Sequence, residues 1–147
     1  MKINWKIKQF SDLTPYELYE IIKLRLKVFS IEQNCIYQDL DDKDFYSQHL
    51  LGFVDGELAA YTRLIKPGIA YKEASIGRVV VDIKYRKHGL GKELMRTSVE
   101  VCGRLFGGPI KIGAEFYLKK FYEGYGFIEI GDKYIECNIE HIEMIKK

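Results

Sequence analysis

The chain has few cysteines and no excess of either charge, and each scarcity excludes a class of protein. Its three cysteines, Cys35, Cys102 and Cys137, are odd in number and form no CxxC pair, which argues against a disulfide framework and against a zinc site. We therefore expect reduced thiols, as in a cytoplasm. The formal net charge is only +2, so no overall field favours nucleic acid or a membrane surface as a partner.

Long apolar runs are also missing. No stretch approaches the ~20 apolar residues that cross a bilayer. Residues 1–6 alternate apolar and polar side chains and lack the apolar run of a signal peptide. With 47% hydrophobic residues in 147, the chain suits one domain with a buried core rather than two. We expect a single cytoplasmic domain over residues 1–147.

Charge is segregated along the chain although it balances overall. Residues 84–96 contain five cations and one anion, whereas residues 32–44 contain five anions and one cation. The first segment suits a polyanion and the second suits a cation.

Local patterns predict an α/β order of elements. Thr14-Pro15-Tyr16-Glu17 has the residues of a capping box and predicts a helix to about Ser30. Asp55-Gly56 predicts a hairpin between two strands, and Ser75–Val81 reads as a central strand. A long helix follows from Leu90. A strand, a helix and two strands around a turn at Cys137-Asn138 complete a layered domain with a mixed sheet.

The most informative segment joins the central strand to the long helix. It ends the strand at Val79-Val80-Val81 and then forms a basic loop containing Gly89 and Gly91. Free N–H groups and the dipole at a helix start favour an anion, and glycine lets the backbone approach phosphate oxygens. The loop therefore predicts a diphosphate site, and the alternative is a solvated basic first turn. Leu94 breaks the GxGxxG pattern, and a P-loop motif is absent.

Two motifs resemble one enzyme family. Arg86-x-x-Gly89-x-Gly91 after the valine strand is similar to the signature of the GNAT N-acetyltransferases, and Tyr122-x-x-x-Gly126-Phe127 is similar to a second element of that family. The N-terminal half, together with His141-Ile142-Glu143-Met144, resembles its ElaA-like branch. The resemblance implies a mixed, mostly antiparallel sheet of about six to seven strands with helices on both faces, with acetyl-CoA as cosubstrate and no metal.

The same resemblance implies which residues bind the cosubstrate. A bulged strand would present its backbone to pantetheine, and the basic loop would bind the pyrophosphate. Carried over to this chain, the binding residues are Val79, Val80, Val81, Arg86, Lys87, His88, Gly89, Leu90, Gly91 and Lys92. Glu115 stands where the family often has Asn, seven positions before Tyr122.

Acetyl transfer needs a proton donor for the leaving thiolate and a base for the amine. Tyr122 is the predicted donor, because a phenol pKa of about 10 is close to that of an alkyl thiol. The alternative is a core aromatic among eleven tyrosines. His141 is a candidate base, and its alternative is a packed, hydrogen-bonded histidine.

The acceptor site is predicted from the acidic segment and the first helix. Its candidate residues are Arg25, Glu32, Gln33, Asp39 and Asp42. Arg25 lies on an apolar helix face and must find a carboxylate partner, whereas Asp41 and Asp44 are expected to be solvated.

The predicted function is direct acetyl transfer from acetyl-CoA to a primary amine of a small molecule, in a ternary complex. The alternatives are a non-catalytic acetyl-CoA sensor, or an enzyme acting on a protein amino group or an amino sugar. The edge strands of an open sheet permit a homodimer without requiring one.

Overall fold

Seven strands and three α-helices form the fold in a computed structural model, which describes residues 1–147. The strands are β1 (Asn4–Gln9), β2 (Ser47–Val54), β3 (Glu57–Ile65), β4 (Ser75–Val81), β5 (Ile110–Glu115), β6 (Ile128–Glu136) and β7 (Ile139–Lys146). The helices are α1 (Pro15–Arg25), α2 (Leu90–Phe106) and α3 (Lys119–Glu123). Single 3₁₀ turns occupy Phe10–Asp12, Lys43–Tyr46, Ile83–Tyr85 and Phe116–Leu118. None of the helices is long and apolar enough to cross a membrane.

The strands form two sheets that meet at one corner. Their orders are β1-β2-β3-β4 and β5-β7-β6, and every ladder is antiparallel. β4 and β5 lie parallel but bond only near their starts, where the Lys111 N–H donates to the Ala74 carbonyl at 2.8 Å. Beyond that point they are unpaired, which leaves a gap between their carboxyl ends. The predicted α/β fold is confirmed, with its sheet split in two.

β4 carries a bulge on the edge that pairs with β3. Tyr61 pairs with Val80 and Arg63 pairs with Gly77, so two residues of β4, Arg78 and Val79, oppose a single residue of β3. Arg78 has a positive φ of 51°, and the extra residue interrupts the regular ladder. The bulge that the family resemblance implied is therefore present at Arg78–Val79.

Helices cover both faces of the four-stranded sheet. Successive side chains of a strand point to opposite faces, so Leu51 and Tyr61 pack under α1 while Leu50 and Ala60 pack under α2. The buried face of α2 also covers the second sheet, in a core of 13 buried residues that includes Tyr122. This shared core fixes the position of the second sheet relative to the first.

The helix that starts at Pro15 confirms its predicted cap and extends beyond its predicted end. Thr14 and Glu17 form the complete capping box. After Arg25 the helix continues as π-helix over Leu26–Glu32, two residues past the predicted end. The wider winding is visible in the bond from the Gln33 N–H to the Val28 carbonyl at 3.1 Å. Such π turns are frequent at functional sites.

Candidate active site

A cleft of about 1000 Å³ opens between the carboxyl ends of β4 and β5. The wall formed by β4 includes Val79, Val80 and Val81, and the π-helical segment and the turn between β6 and β7 close its other end. The residues of the basic loop that line it are Arg86, Lys87, Gly89, Leu90 and Gly91. His88 and Lys92 are exposed but are not part of this wall.

The start of α2 presents uncapped backbone to the cleft. Gly89 has a φ of 74° and no side chain bonds to the first turn, in contrast to the fully capped α1. Lys87 also has a positive φ of 69°. The N–H groups of the first turn therefore remain available to an anion. A Cβ added at Gly91 would meet no protein atom within 4 Å, so nothing in the protein itself requires glycine there.

Arg86 ties the basic loop to the acidic segment. Its Nε donates to the Val81 carbonyl at 3.1 Å, and its two terminal nitrogens donate to the Glu32 carboxylate at 2.7 and 2.8 Å. The hydrogen bond from Arg86 lowers the pKa of Glu32. Glu32, predicted to contact the acceptor, thus lines the cleft as the partner of Arg86.

Tyr122 reaches the cleft from α3 and is only 7% exposed. The rings of Phe121 and Phe127 pack edge-on against it at 5.2 and 6.2 Å between centroids. Burial raises its pKa, and the negative charge of Glu115 adds to the rise. A phenol in this setting stays protonated at neutral pH, as a proton donor requires.

His141 lies on β7 at the opposite wall and stacks on Tyr134 at 5.5 Å. Its Nδ1 is 2.8 Å from the Ile139 carbonyl. Because a carbonyl only accepts, Nδ1 carries the proton and Nε2 is the basic nitrogen of the neutral ring. Nε2 is 3.8 Å from the carboxylate of Glu136, whose side chain is 72% exposed. His141 is therefore a packed, hydrogen-bonded histidine, which was the alternative to a catalytic base. Its Nε2 atom nevertheless remains unprotonated in the neutral ring, beside the exposed Glu136.

Gln33 lies in the cleft, whereas three other predicted acceptor residues lie outside its wall. The Gln33 side-chain amide donates to Glu115 at 2.8 Å. Arg25 and Asp39 are 1% and 3% exposed and bond to each other, and Asp42 points to solvent at the start of a 3₁₀ turn. Burial in an ion pair separates Arg25 and Asp39 from the cleft, and Asp42 lies outside its wall. Contact of these three residues with an acceptor stays a prediction.

Arg25 belongs to a group of ion-paired side chains, four of them buried, that we call the arginine–aspartate cluster. Its six members are Arg25, Arg63, Arg78, Asp39, Asp41 and Asp44.

Arg25 contacts Asp39 at 2.9 Å and Asp44 at 2.7 Å, and Arg63 contacts Asp41 at 2.7 Å. The predicted carboxylate partner of Arg25 is confirmed. The expectation that Asp41 and Asp44 are solvated is wrong, because both are bound by arginine.

Cys35 and Cys137 form a disulfide bond across 102 residues, with their Cα atoms 5.9 Å apart. Only Cys102 is a free thiol, and it is buried. The expectation of three reduced thiols is therefore wrong. The bond joins the chain after the π-helical segment to the turn between β6 and β7, and both cysteines line the cleft.

The cleft residues that sequence reasoning did not place there include Glu115, Glu136 and Cys137. A signal existed for Glu115, which occupies the position of a family asparagine. No local pattern indicates the other two, because their place in the wall depends on the pairing of β6 with β7. No group of three His, Cys, Asp or Glu side chains is arranged to hold a metal ion.

Comparisons with known proteins agree on one family. The sequence matches the acetyltransferase (GNAT) domain over residues 14–147. It is 36% identical to protein ElaA of Escherichia coli K12 over 148 residues, covering 99% of this chain and 97% of ElaA. An acyl-CoA N-acyltransferase from Pseudomonas aeruginosa is 37% identical with a TM-score of 0.94, covering 99% of this chain and 100% of that chain.

A GNAT family acetyltransferase from Elizabethkingia anophelis, solved with acetyl-CoA bound, has a TM-score of 0.70 at 15% identity and covers 99% of this chain and 97% of that one. That likeness concerns the fold alone. The family match and the similarity to ElaA show that the chain belongs to the GNAT acetyltransferase family. The bulge in β4 and the uncapped start of α2 at Gly89 agree with this class. Within this family it is ElaA-like, as the full-length similarity to ElaA shows.

Proposed function

We propose that the protein transfers the acetyl group of acetyl-CoA to a primary amine of a small molecule, directly and without a covalent enzyme intermediate. One observation carries this proposal. The bulged end of β4, the uncapped start of α2 and the side chain of Tyr122 all face the same cleft. Each supplies one requirement of acetyl transfer from a thioester.

The β4 backbone and the start of α2 are proposed to bind the cosubstrate. Val79 and Val81 would pair with pantetheine, and the N–H groups from Lys87 to Gly91 would hold the pyrophosphate. Because Arg86 is occupied by Glu32, the backbone and Lys87 are the groups left for the anion. A backbone N–H near Val80 or Val81 would stabilise the negative charge that grows on the thioester oxygen.

Tyr122 is proposed to protonate the sulfur as the C–S bond breaks. Its place in the cleft wall supports this role. Burial raises the pKa of Tyr122, so the phenol is protonated at neutral pH but is a weaker acid than an exposed tyrosine. Removing a general acid typically costs 10²–10⁴-fold in rate.

The charges around the cleft support a cationic acceptor over an anionic one. An amino-sugar phosphate would need arginine, but Arg25 and Arg63 are buried against aspartates. Arg78 lines the cleft, yet its guanidinium contacts Asp39 at 2.9 Å. The arginines are therefore already neutralised, whereas Glu115 and Glu136 face the cleft without a lysine or arginine partner.

The proposal is tested by following free thiol release from acetyl-CoA across a panel of small amines and peptides. We expect saturation with at least one small amine, and a fall of about 100-fold or more in rate for Tyr122→Phe. Tyr125→Phe is the matched control, because that hydroxyl only donates to the Lys92 carbonyl at 3.0 Å. Coenzyme A binding without turnover on any amine would instead indicate a sensor, and saturation only with peptides would indicate a protein acceptor.

A further inference from the structure

A segment that lines the cleft is held to the first sheet by ion pairs. We call residues 33–41 the strap; it follows the π-helical segment and supplies side chains to the cleft wall. Asp39 of the strap lies 2.9 Å from Arg78 of β4. Asp41 lies 2.7 Å from Arg63 of β3. The strap therefore has firm polar contacts on the β3–β4 side of the cleft.

One covalent bond connects the strap to the second sheet. Cys35 of the strap is joined to Cys137 in the turn between β6 and β7. The one hydrogen bond that adds to it runs from the Gln33 amide to Glu115 at 2.8 Å. No backbone–backbone hydrogen bond involves residues 36–41, and β6 is exposed along nearly its whole length. The disulfide therefore decides whether the strap and the β6–β7 turn stay together.

Cys137 occupies a backbone position that does not favour cysteine. Glu136 pairs with Ile139, so Cys137 and Asn138 form a two-residue hairpin loop. Both have a positive φ, of 53° and 62°, as in a type I′ turn, which prefers asparagine and glycine. Asn138 suits this conformation, whereas cysteine has no local reason to adopt it. The sulfur of Cys137, rather than the turn, accounts for the residue.

The disulfide is open to attack from one side. Cys35 is 5% exposed, whereas Cys137 lies at the surface. A thiolate of a dithiol reductant can attack the Cys137 sulfur, and Cys35 leaves with the electron pair and takes a proton. The second thiol of the reductant then attacks the mixed disulfide and releases Cys137. The dithiol ends as a cyclic disulfide and both cysteines end as thiols, so two electrons and two protons are transferred.

We propose that the Cys35–Cys137 bond is a redox switch that sets how large an acceptor the cleft admits. In the oxidised state the strap and the β6–β7 turn enclose a small amine at this end of the cleft. Reduction by a dithiol frees the turn from the strap and admits larger acceptors, such as the amino terminus of a peptide. The effect on acceptors rests on the proposed function, whereas the release of the turn does not.

Hydrogen exchange tests the release of the turn, in protein treated with dithiothreitol without denaturant. We expect the amides of residues 134–141 to exchange about tenfold faster or more after reduction. The amides of β2 and β3 should stay protected over the same labelling time, because the core remains folded. Cys137→Asn should show the fast exchange without reductant, since asparagine keeps the left-handed turn. Cys102→Ala is the matched control: it removes the cysteine outside the bond and should respond to dithiothreitol as the wild type does.

Acceptor selectivity tests the second half of the proposal. Wild type and Cys137→Asn are compared without reductant, by the loss of thioester absorbance with 1,4-diaminobutane or a short peptide as acceptor. We expect the ratio of kcat/KM for the peptide to that for the diamine to rise about tenfold or more in Cys137→Asn. Coenzyme A affinity, measured by calorimetry, should be equal in both, because the start of α2 contains neither cysteine.

Three results would overturn the inference. A bond that resists dithiothreitol in the native protein would be purely structural. Loss of protection in β2 and β3 together with residues 134–141 would mean that the bond holds the whole fold. An unchanged acceptor ratio in Cys137→Asn would separate the bond from acceptor choice. If the wild type acetylates no amine, the proposed function fails, and hydrogen exchange still decides whether reduction releases the turn.

Discussion

Replacing Arg25 by methionine removes the most deeply buried cation of the arginine–aspartate cluster and puts a long apolar side chain in its place. Arg25 is 1% exposed and bonds Asp44 at 2.7 Å and Asp39 at 2.9 Å. Removing one member of a buried ion pair typically costs 3–5 kcal/mol, because the partner charge is left uncompensated.

Each aspartate retains a second arginine, which places the expected cost at the lower end of this range. Asp44 keeps Arg63 at 3.1 Å, and Asp39 keeps Arg78 at 2.9 Å. We therefore expect Arg25→Met to lower the free energy of unfolding by about 3 kcal/mol. For a chain of this size that corresponds to a fall in Tm of roughly 6–12 °C.

The cost should depend on pH with a definite sign. Burial alone would raise the pKa of Asp44, but the contacts with Arg25 and Arg63 outweigh it and lower the pKa. In the wild type, the stability from this group is present above the unfolded pKa of about 3.9 and is lost as pH falls through the lower folded value. In Arg25→Met one of the two cations beside Asp44 is missing, so burial raises the pKa of Asp44 relative to the wild type. Compared with the wild type, the variant therefore loses more stability at pH 7 than at pH 4.5.

The assay is urea unfolding at both pH values, with a double-mutant cycle. In the double variant, Arg25→Met with Asp44→Asn, two carboxylates and two arginines remain, so the charges of the cluster balance again. We therefore expect the double variant to be more stable than the sum of the two single changes predicts, by about 0.5–3 kcal/mol. Lys23→Met is the control on the same helix, because its ion pair with Glu20 is exposed and should contribute less than about 1 kcal/mol. A loss below 1 kcal/mol for Arg25→Met, or strict additivity, would refute the reasoning.

Two further predictions concern backbone and covalent features. Gly91→Ala should leave the free energy of unfolding equal or raise it by up to about 1 kcal/mol, yet weaken coenzyme A binding about tenfold or more. The control is Gly103→Ala, in the same helix and equally free of contacts, which should leave binding unchanged. Equal coenzyme A affinities in the two variants would contradict this prediction. Denatured without reductant, the chain should take one alkyl label, at Cys102, whereas three labels would mean that Cys35 and Cys137 are free. Reduction should lower stability by about 2–5 kcal/mol, because the bond closes a loop of about 100 residues.

Features set by neighbouring residues could be predicted from the sequence. The capping box at Thr14 and the hairpin at Asp55-Gly56 depend on backbone conformations that a few adjacent side chains decide. The glycine-opened start of α2 is of the same kind. They include the turn between β2 and β3 and the backbone of the proposed pyrophosphate site.

Features that depend on distant pairing could not be predicted. The need of Arg25 for a carboxylate followed from its apolar helix face, but which aspartates would reach it depended on the path of residues 33–46. Gln33 and Glu115 are 82 residues apart and meet only across the cleft. The disulfide joins residues 102 apart, and nothing near either cysteine marks the pair.

The arginine–aspartate cluster and the cleft are physically connected through the bulge in β4. Arg78 adopts a left-handed conformation, which costs a residue other than glycine about 1–3 kcal/mol. Its guanidinium is bound by Asp39 at 2.9 Å, and Asp39 is in turn fixed by Arg25. The ion pairs thus hold the strand distortion that interrupts the ladder beside the proposed pantetheine site. The arginine–aspartate cluster therefore maintains the shape of the cleft, and this role adds to its contribution to stability.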